Sequence, residues 1–308
     1  MEIKISNFKL NVFRNLMEQS LIVDNQLMFE FSTDFVRSCS FSATKSFMKL
    51  WTSQLINFIQ KSEDSEELQE IPSFDPFNMY ILKGDLFKKF LSVHTSDTVD
   101  LIFTIVESEN KKNQAAAITI IGQSEGSNKL RTTFTLTTEE LISNKIDDYA
   151  AVIKECTPSN DMCEFVLSDN QIQEIKRLIK KLHKSSADNT AYLSFKLDVE
   201  NKKVVVNDKV FIVEFDINSE TESKLLFPEK SFSFNILKSD FIITGNQTFT
   251  IFTNEQEQKV IFGARHAGAI IWCLSSKIEE SNDLPFDSSV VDSTIDSIDN
   301  LDDYLNDI

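Results

Sequence analysis

Between residues 168 and 186 the chain reads SDNQIQEIKRLIKKLHKSS, and its apolar positions recur at helical steps. At about 100° per residue, Ile172, Ile175, Leu178, Ile179 and Leu182 share one face, while Lys176, Arg177, Lys180, Lys181 and Lys184 centre on the opposite one. The pattern predicts an amphipathic helix with a cationic stripe. Ser168, followed three residues later by Gln171, fits a capping box and marks the helix start independently of the periodicity. Elsewhere the dominant period is two. LMFEF, FVRSCSFS, SFMKLWTS, TVDLIFTIV, AAAITII and LRTTFTL read as strands in the first half. AYLSFKLDV, KKVVVN, FIVEFDI, SFSFNI, QTFTIFT, KVIFG and AIIWCL do so in the second.

The two halves repeat one another. The opening EIKISNFKLNVFRNLMEQS aligns with EFVLSDNQIQEIKRLIKKL at an offset of 162 residues, setting Leu10 on Ile172, Phe13 on Ile175, Leu16 on Leu178, Met17 on Ile179 and Arg14 on Lys176. Further on, ILKGDLF at 81–87 and ILKSDFI at 236–242 share Ile-Leu-Lys-x-Asp at an offset of 155. Two matched elements in the same order, at nearly the same offset, predict a duplicated architecture. Each half reads strand, helix, several strands, a short helix after ILKxD, and several more strands. Helices then lie on one face of largely antiparallel sheets, an α+β fold. The expected division is 1–141 and 161–277 as the two domains, 142–160 as a connector between them, and 278–308 as a tail.

Charge sharpens this picture. The formal net charge is −17, but the last thirty residues hold ten carboxylates and no Lys or Arg, which leaves the preceding 278 residues at −7. A second acidic run, SEDSEELQE at 62–70, reads as an exposed loop. Against that background the cations concentrate on particular helices. In KGDLFKKFLSVH, Lys88 and Lys89 point away from the stripe made by Leu86, Phe87, Phe90 and Leu91, as the basic residues of the 168–186 helix do from theirs.

This arrangement resembles the DNA polymerase sliding clamp, most closely the clamps of T-even-type phages, which carry two such domains per subunit. The resemblance covers residues 1–277 and is strongest in SFSFNILKSD, QTFTIFTNEQEQKVIFGARH and GAIIWCL. It implies a ring, most simply a homotrimer, with antiparallel sheets outside and helices lining a channel for double-stranded DNA. A clamp holds DNA without reading its sequence, so it needs positive charge where phosphates pass. By resemblance Lys176, Arg177, Lys180, Lys181, Lys184, Lys88 and Lys89 face that channel, joined by Arg14 and Lys238. The first helix departs from the pattern, because its polar face of Asn11, Arg14, Asn15 and Glu18 is hardly basic. The implied partners are DNA polymerase and a clamp loader. A client pocket near the connector is also implied, with Tyr149, Val152 and Ile153 as its candidates.

No cofactor or metal is expected, and no catalysis. Six glycines leave no phosphate-cradling loop, since GARHAG at 263–268 lacks the following Lys-Ser/Thr, and neither HExxH nor GxSxG occurs. The four cysteines are scattered, and the closest pair, CTPSNDMC, lacks zinc spacing. His183 reads as a surface imidazole and His94 as a satisfied core residue. No apolar run long enough to span a bilayer exists, and the first twenty residues lack the features of a secretion signal. A cytoplasmic setting is expected, the host's if the chain is phage-encoded. Two alternatives share the pattern: a herpesvirus-type processivity factor without a closed ring, and a structural β-rich virion protein. In the tail, Val291, Ile295, Ile298, Leu301, Leu305 and Ile308 recur at helical spacing, as in a segment that folds on a partner.

Overall fold

The computed structural model describes residues 1–60, 73–107, 113–123, 128–143, 146, 149–158, 162–182, 192–198, 201–208, 210–216, 232–253 and 259–276. Lys184, His183, the acidic run at 62–70 and the tail at 278–308 lie outside the described residues.

The first half runs β1 (Glu2–Lys9), α1 (Leu10–Leu21), β2 (Leu27–Phe31), β3 (Phe35–Phe41), β4 (Phe47–Gln54), β5 (Phe77–Ile81), α2 (Gly84–Ser92), β6 (Thr98–Val106), β7 (Asn113–Gln123) and β8 (Lys129–Thr135). After α3 (Tyr149–Cys156) come β9 (Cys163–Leu167), α4 (Asp169–Leu182), β10 (Tyr192–Asp198), β11 (Lys203–Asn207), β12 (Ile212–Asp216), β13 (Phe232–Leu237), α5 (Lys238–Ile243), β14 (Phe249–Thr253), β15 (Lys259–His266) and β16 (Ala269–Ser276). The order of strands and helices before α3 recurs after it. So does the pairing: β1 with β6, β6 with β7, β7 with β8, β2 with β3 and β5, and β3 with β4. The second half answers with β9 and β14, β14 and β15, β15 and β16, β10 with β11 and β13, and β11 with β12.

Local sequence explains most of these elements. In β6 and β10 buried and less buried positions alternate, as half-buried strands require. The predicted capping box at the start of α4 is closed: Ser168 N donates to Gln171 Oε1 at 2.8 Å, and Gln171 N to Ser168 Oγ at 3.3 Å. FNMYI, which forms β5, is a strand that alternation does not reveal, because every residue is buried and both faces are covered.

A junction between β4 and β16 joins the halves into one twelve-stranded sheet, with Trp51 opposite Ile271 and Lys49 opposite Cys273. The remaining four strands form a second sheet, β12-β11-β10-β13. In β4, Phe47 and Trp51 point into the main core with α1, α2, α4 and α5, while Met48 and Leu50 point the other way. There they meet Tyr149, Cys156, Val152 and Ile153 of α3, with Trp272 and Leu274 of β16. Four helices therefore share one face and α3 lies on the other. Among the described residues no helix is long and apolar enough to cross a membrane.

Candidate nucleic-acid interface

Of the five cations that the helical wheel groups together, the four within the described residues part company in three dimensions. Arg177, Lys180 and Lys181 are exposed. Arg177 donates from Nη2 to Glu174 Oε1 at 3.1 Å, an exposed pair that water weakens and that leaves the guanidinium free to exchange partners. Lys176 is different and corrects the expectation of an open position. It is only 6% exposed, and its Nζ donates to Gly245 O and, at 3.3 Å, to Asn246 Oδ1. The long aliphatic stem lies along the packed surface and delivers the ammonium past the helix rim to the end of α5. Burial, followed by the nearby charge of Lys49, lowers its pKa to about 7.

Arg14 has the corresponding post in the first half. Its Nη2 donates to Leu91 O and, at 2.6 Å, to His94 O, so the guanidinium closes the C-terminal end of α2. Cations favour that end of a helix, where the last carbonyls lack partners. His94 O lies two residues beyond the last residue of α2, as Gly245 O does beyond α5. The aligned pair Arg14 and Lys176 thus does equivalent work, each bonded to carbonyls at the end of the second helix of its own half. His94 is buried with Nε2 2.6 Å from Thr132 Oγ1, while Nδ1 finds no partner among the described residues, so it is satisfied only in part.

Lys238 is the third correction. It is 7% exposed, and its Nζ lies 2.9 Å from Asp208 Oδ2 in a buried ion pair between α5 and the turn after β11. Asp208 also accepts from the backbone N–H groups of Val210 and Phe211 at 2.9 and 3.2 Å. Lys88 and Lys89 are exposed on α2, as expected. Lys88 pairs with Glu18 of α1 at 2.8 Å, which further reduces the cationic character of the first helix.

Lys49 escaped the sequence reading. It is wholly buried, and its Nζ donates to Gln19 Oε1 at 2.9 Å, Thr244 O at 2.7 Å and Ile243 O at 3.4 Å, tying α1 to the end of α5 across the two halves. Burial lowers its pKa as well. One signal was available: Lys49 stands between Phe47 and Trp51 on an inward parity of β4, where a charge is out of place.

On the opposite face, Tyr149 is 2% exposed, with its ring 4.2 Å from the Arg37 guanidinium carbon, which also stacks on Phe35 at 4.3 Å and pairs with Glu30. That burial removes Tyr149 from any surface a client could touch. Val152 and Ile153 are half-buried on the same core.

A sheet continuous across the β4–β16 junction, with four helices gathered on one face, is an arrangement also found in a sliding-clamp structure. The crystal structure of Proliferating Cellular Nuclear Antigen from Entamoeba histolytica has it: the match covers 90% of this chain and 98% of that chain, with a TM-score of 0.60. Sequence identity is 11%, so the likeness is one of fold. No family model matches the chain, and no curated protein does.

Proposed function

We propose that this protein is a sliding clamp, built of two clamp domains joined by the 142–160 connector, that encircles duplex DNA without sequence specificity and tethers a replicative DNA polymerase. The observation that carries the reading is the pairing scheme. Inside the chain β4 of the first half pairs with β16 of the second. Their counterparts, β12 and β8, each pair on one side only among the described residues, apart from a single bridge between Tyr80 and Thr137. Half-buried apolar residues sit along both edges, Leu130 and Phe134 on β8, Val213 and Phe215 on β12. Joining β8 of one subunit to β12 of the next repeats the internal junction head to tail, and a head-to-tail contact that closes makes a ring. In such a ring the face bearing α1, α2, α4 and α5 turns inward, and Arg177, Lys180, Lys181, Lys88 and Lys89 meet phosphates. Contacts of this kind are individually weak, which suits sliding.

The ring is a trimer in the reading closest to the T-even-type clamps, with a clamp loader required to open it. Val152, Ile153 and the exposed Ile270 of β16, 43% accessible on the α3 side of the sheet, form the client surface. Light scattering at tens of micromolar tests the proposal. A closed oligomer is expected; a strict monomer that still stimulates a polymerase would replace it with the herpesvirus-type reading.

A further inference from the structure

A cavity of about 670 Å3 opens where the end of α1, the length of α4, the 245–248 turn and the end of β15 come together. That volume lies within the range of pockets that hold small ligands, roughly 300 to 1,000 Å3. Lys176, Lys180, Arg265 and His266 line it, against a single carboxylate, Asp169. Lys49 lies behind it, close enough for its charge to act on Lys176.

The charge there exceeds what the fold itself uses. Among the described residues, only neutral acceptors meet the two buried ammonium groups: Gln19 Oε1 and the carbonyls of Ile243 and Thr244 for Lys49, Gly245 O and Asn246 Oδ1 for Lys176. The C-terminal end of a helix carries roughly half a negative charge, so two lysine side chains supply more donors and more potential charge than the end of α5 requires. An ammonium has three donors, and Lys176 uses two on these acceptors. Lys176, the exposed Lys180 and the lining residues of β15 border one space, with Asn246, Gln247 and Thr248 supplying neutral hydrogen-bonding groups at its wall.

We propose that this cavity is a phosphoryl-binding site, taking a phosphate of a polynucleotide backbone or of a small phosphorylated molecule. Anions hydrogen-bonded by ammonium and guanidinium groups make the stronger, charge-assisted class of contact. A bound anion also offsets the burial that drives the Lys176 pKa down to about 7, holding the group in its charged form. The inference goes beyond the ring, because every lining residue belongs to one chain.

Calorimetric titration of the purified full chain at low ionic strength, with pyrophosphate and separately with a short DNA duplex, tests it. Wild type binds pyrophosphate, and Lys180→Glu weakens that binding about tenfold or more, the loss expected for a charge-assisted contact. Lys176→Met does the same, with a cooperative melt as the check that it folds. Displacement of pyrophosphate by the duplex identifies the backbone as the natural source; simultaneous binding of both identifies a small phosphorylated molecule. Absence of pyrophosphate binding at millimolar concentration, or equal affinity in Lys180→Glu and wild type, overturns the site. A monomer that binds pyrophosphate sinks the ring and leaves the cavity standing, and a ring that ignores pyrophosphate does the reverse.

Discussion

Arg14 reaches Leu91, 77 residues further along, and Lys176 reaches Gly245, 69 further along, each to hold the end of the second helix in its own half. Such cations behave differently from free ones on titration. Lys176 has its pKa lowered from 10.5 to about 7, so between those values the unfolded chain binds a proton that the folded chain does not. Stability then rises with pH across that window, by at most roughly 1.4 kcal/mol per pH unit, and the contribution is lost as pH falls through 7. Lys49 shifts in the same direction. Lys176→Met is therefore expected to show a shallower rise in urea midpoint from pH 7 to 9 than wild type; an unchanged slope would mean that Lys176 is solvated. Lys238→Ala strands Asp208 in the interior and is expected to cost about 3 kcal/mol, the lower end for a broken buried pair because two backbone N–H groups still hold that carboxylate. Normal stability with weakened DNA binding would return Lys238 to the phosphate-contacting set.

At the scale of the element, α4 divides its surface three ways. Ile172, Ile175 and Ile179 enter the core, Lys176 goes to the end of α5, and Arg177, Lys180 and Lys181 remain in water. Substituting the last three together with Ala removes charge without opening a cavity, so stability should stay within about 0.5 kcal/mol per site. If each meets a phosphate, the slope of log affinity against log salt should flatten by roughly 2 to 3, at about 0.9 per contact. A measured slope equal to that of wild type would remove α4 from the DNA surface. α3 is simpler: its apolar residues lie on the second core, held by Tyr149 against Arg37.

The whole molecule is decided at its edges. Leu136 N donates to Ala116 O beside β7, whereas Thr137 N donates to Tyr80 O on the other side. By the alternation of an antiparallel ladder, Arg131, Thr133 and Thr135 then turn their N–H groups toward the open edge of β8. Proline is tolerated where an edge strand's N–H faces outward. Thr135→Pro, which spares the Thr119–Thr133 hydroxyl contact, is accordingly expected to melt close to wild type while its mass falls to that of a single chain. Retention of the wild-type mass would show that β8 is not the joining edge.

Strand and helix periods and the capping box at Ser168 were legible in the sequence because each depends on neighbours a few residues apart. The interleaved apolar positions of α4 and β6 declare which face is buried before any partner is known. β5 was not legible, since burial on both faces erases the alternation. Nor was the division of the cations. Lys176 and Lys180 lie one turn apart on the same helix, and nothing within that turn distinguishes them. Only the tertiary fold brings Gly245 to the first and leaves the second in water. The same holds for Lys238, which Asp208 claims, and for Lys49, which the ends of α1 and α5 enclose. The spacing of apolar residues determined the architecture, whereas the fate of each charge depended on which acceptors long-range packing delivered to it, because a cation binds whatever polar group the fold sets within about 3 Å.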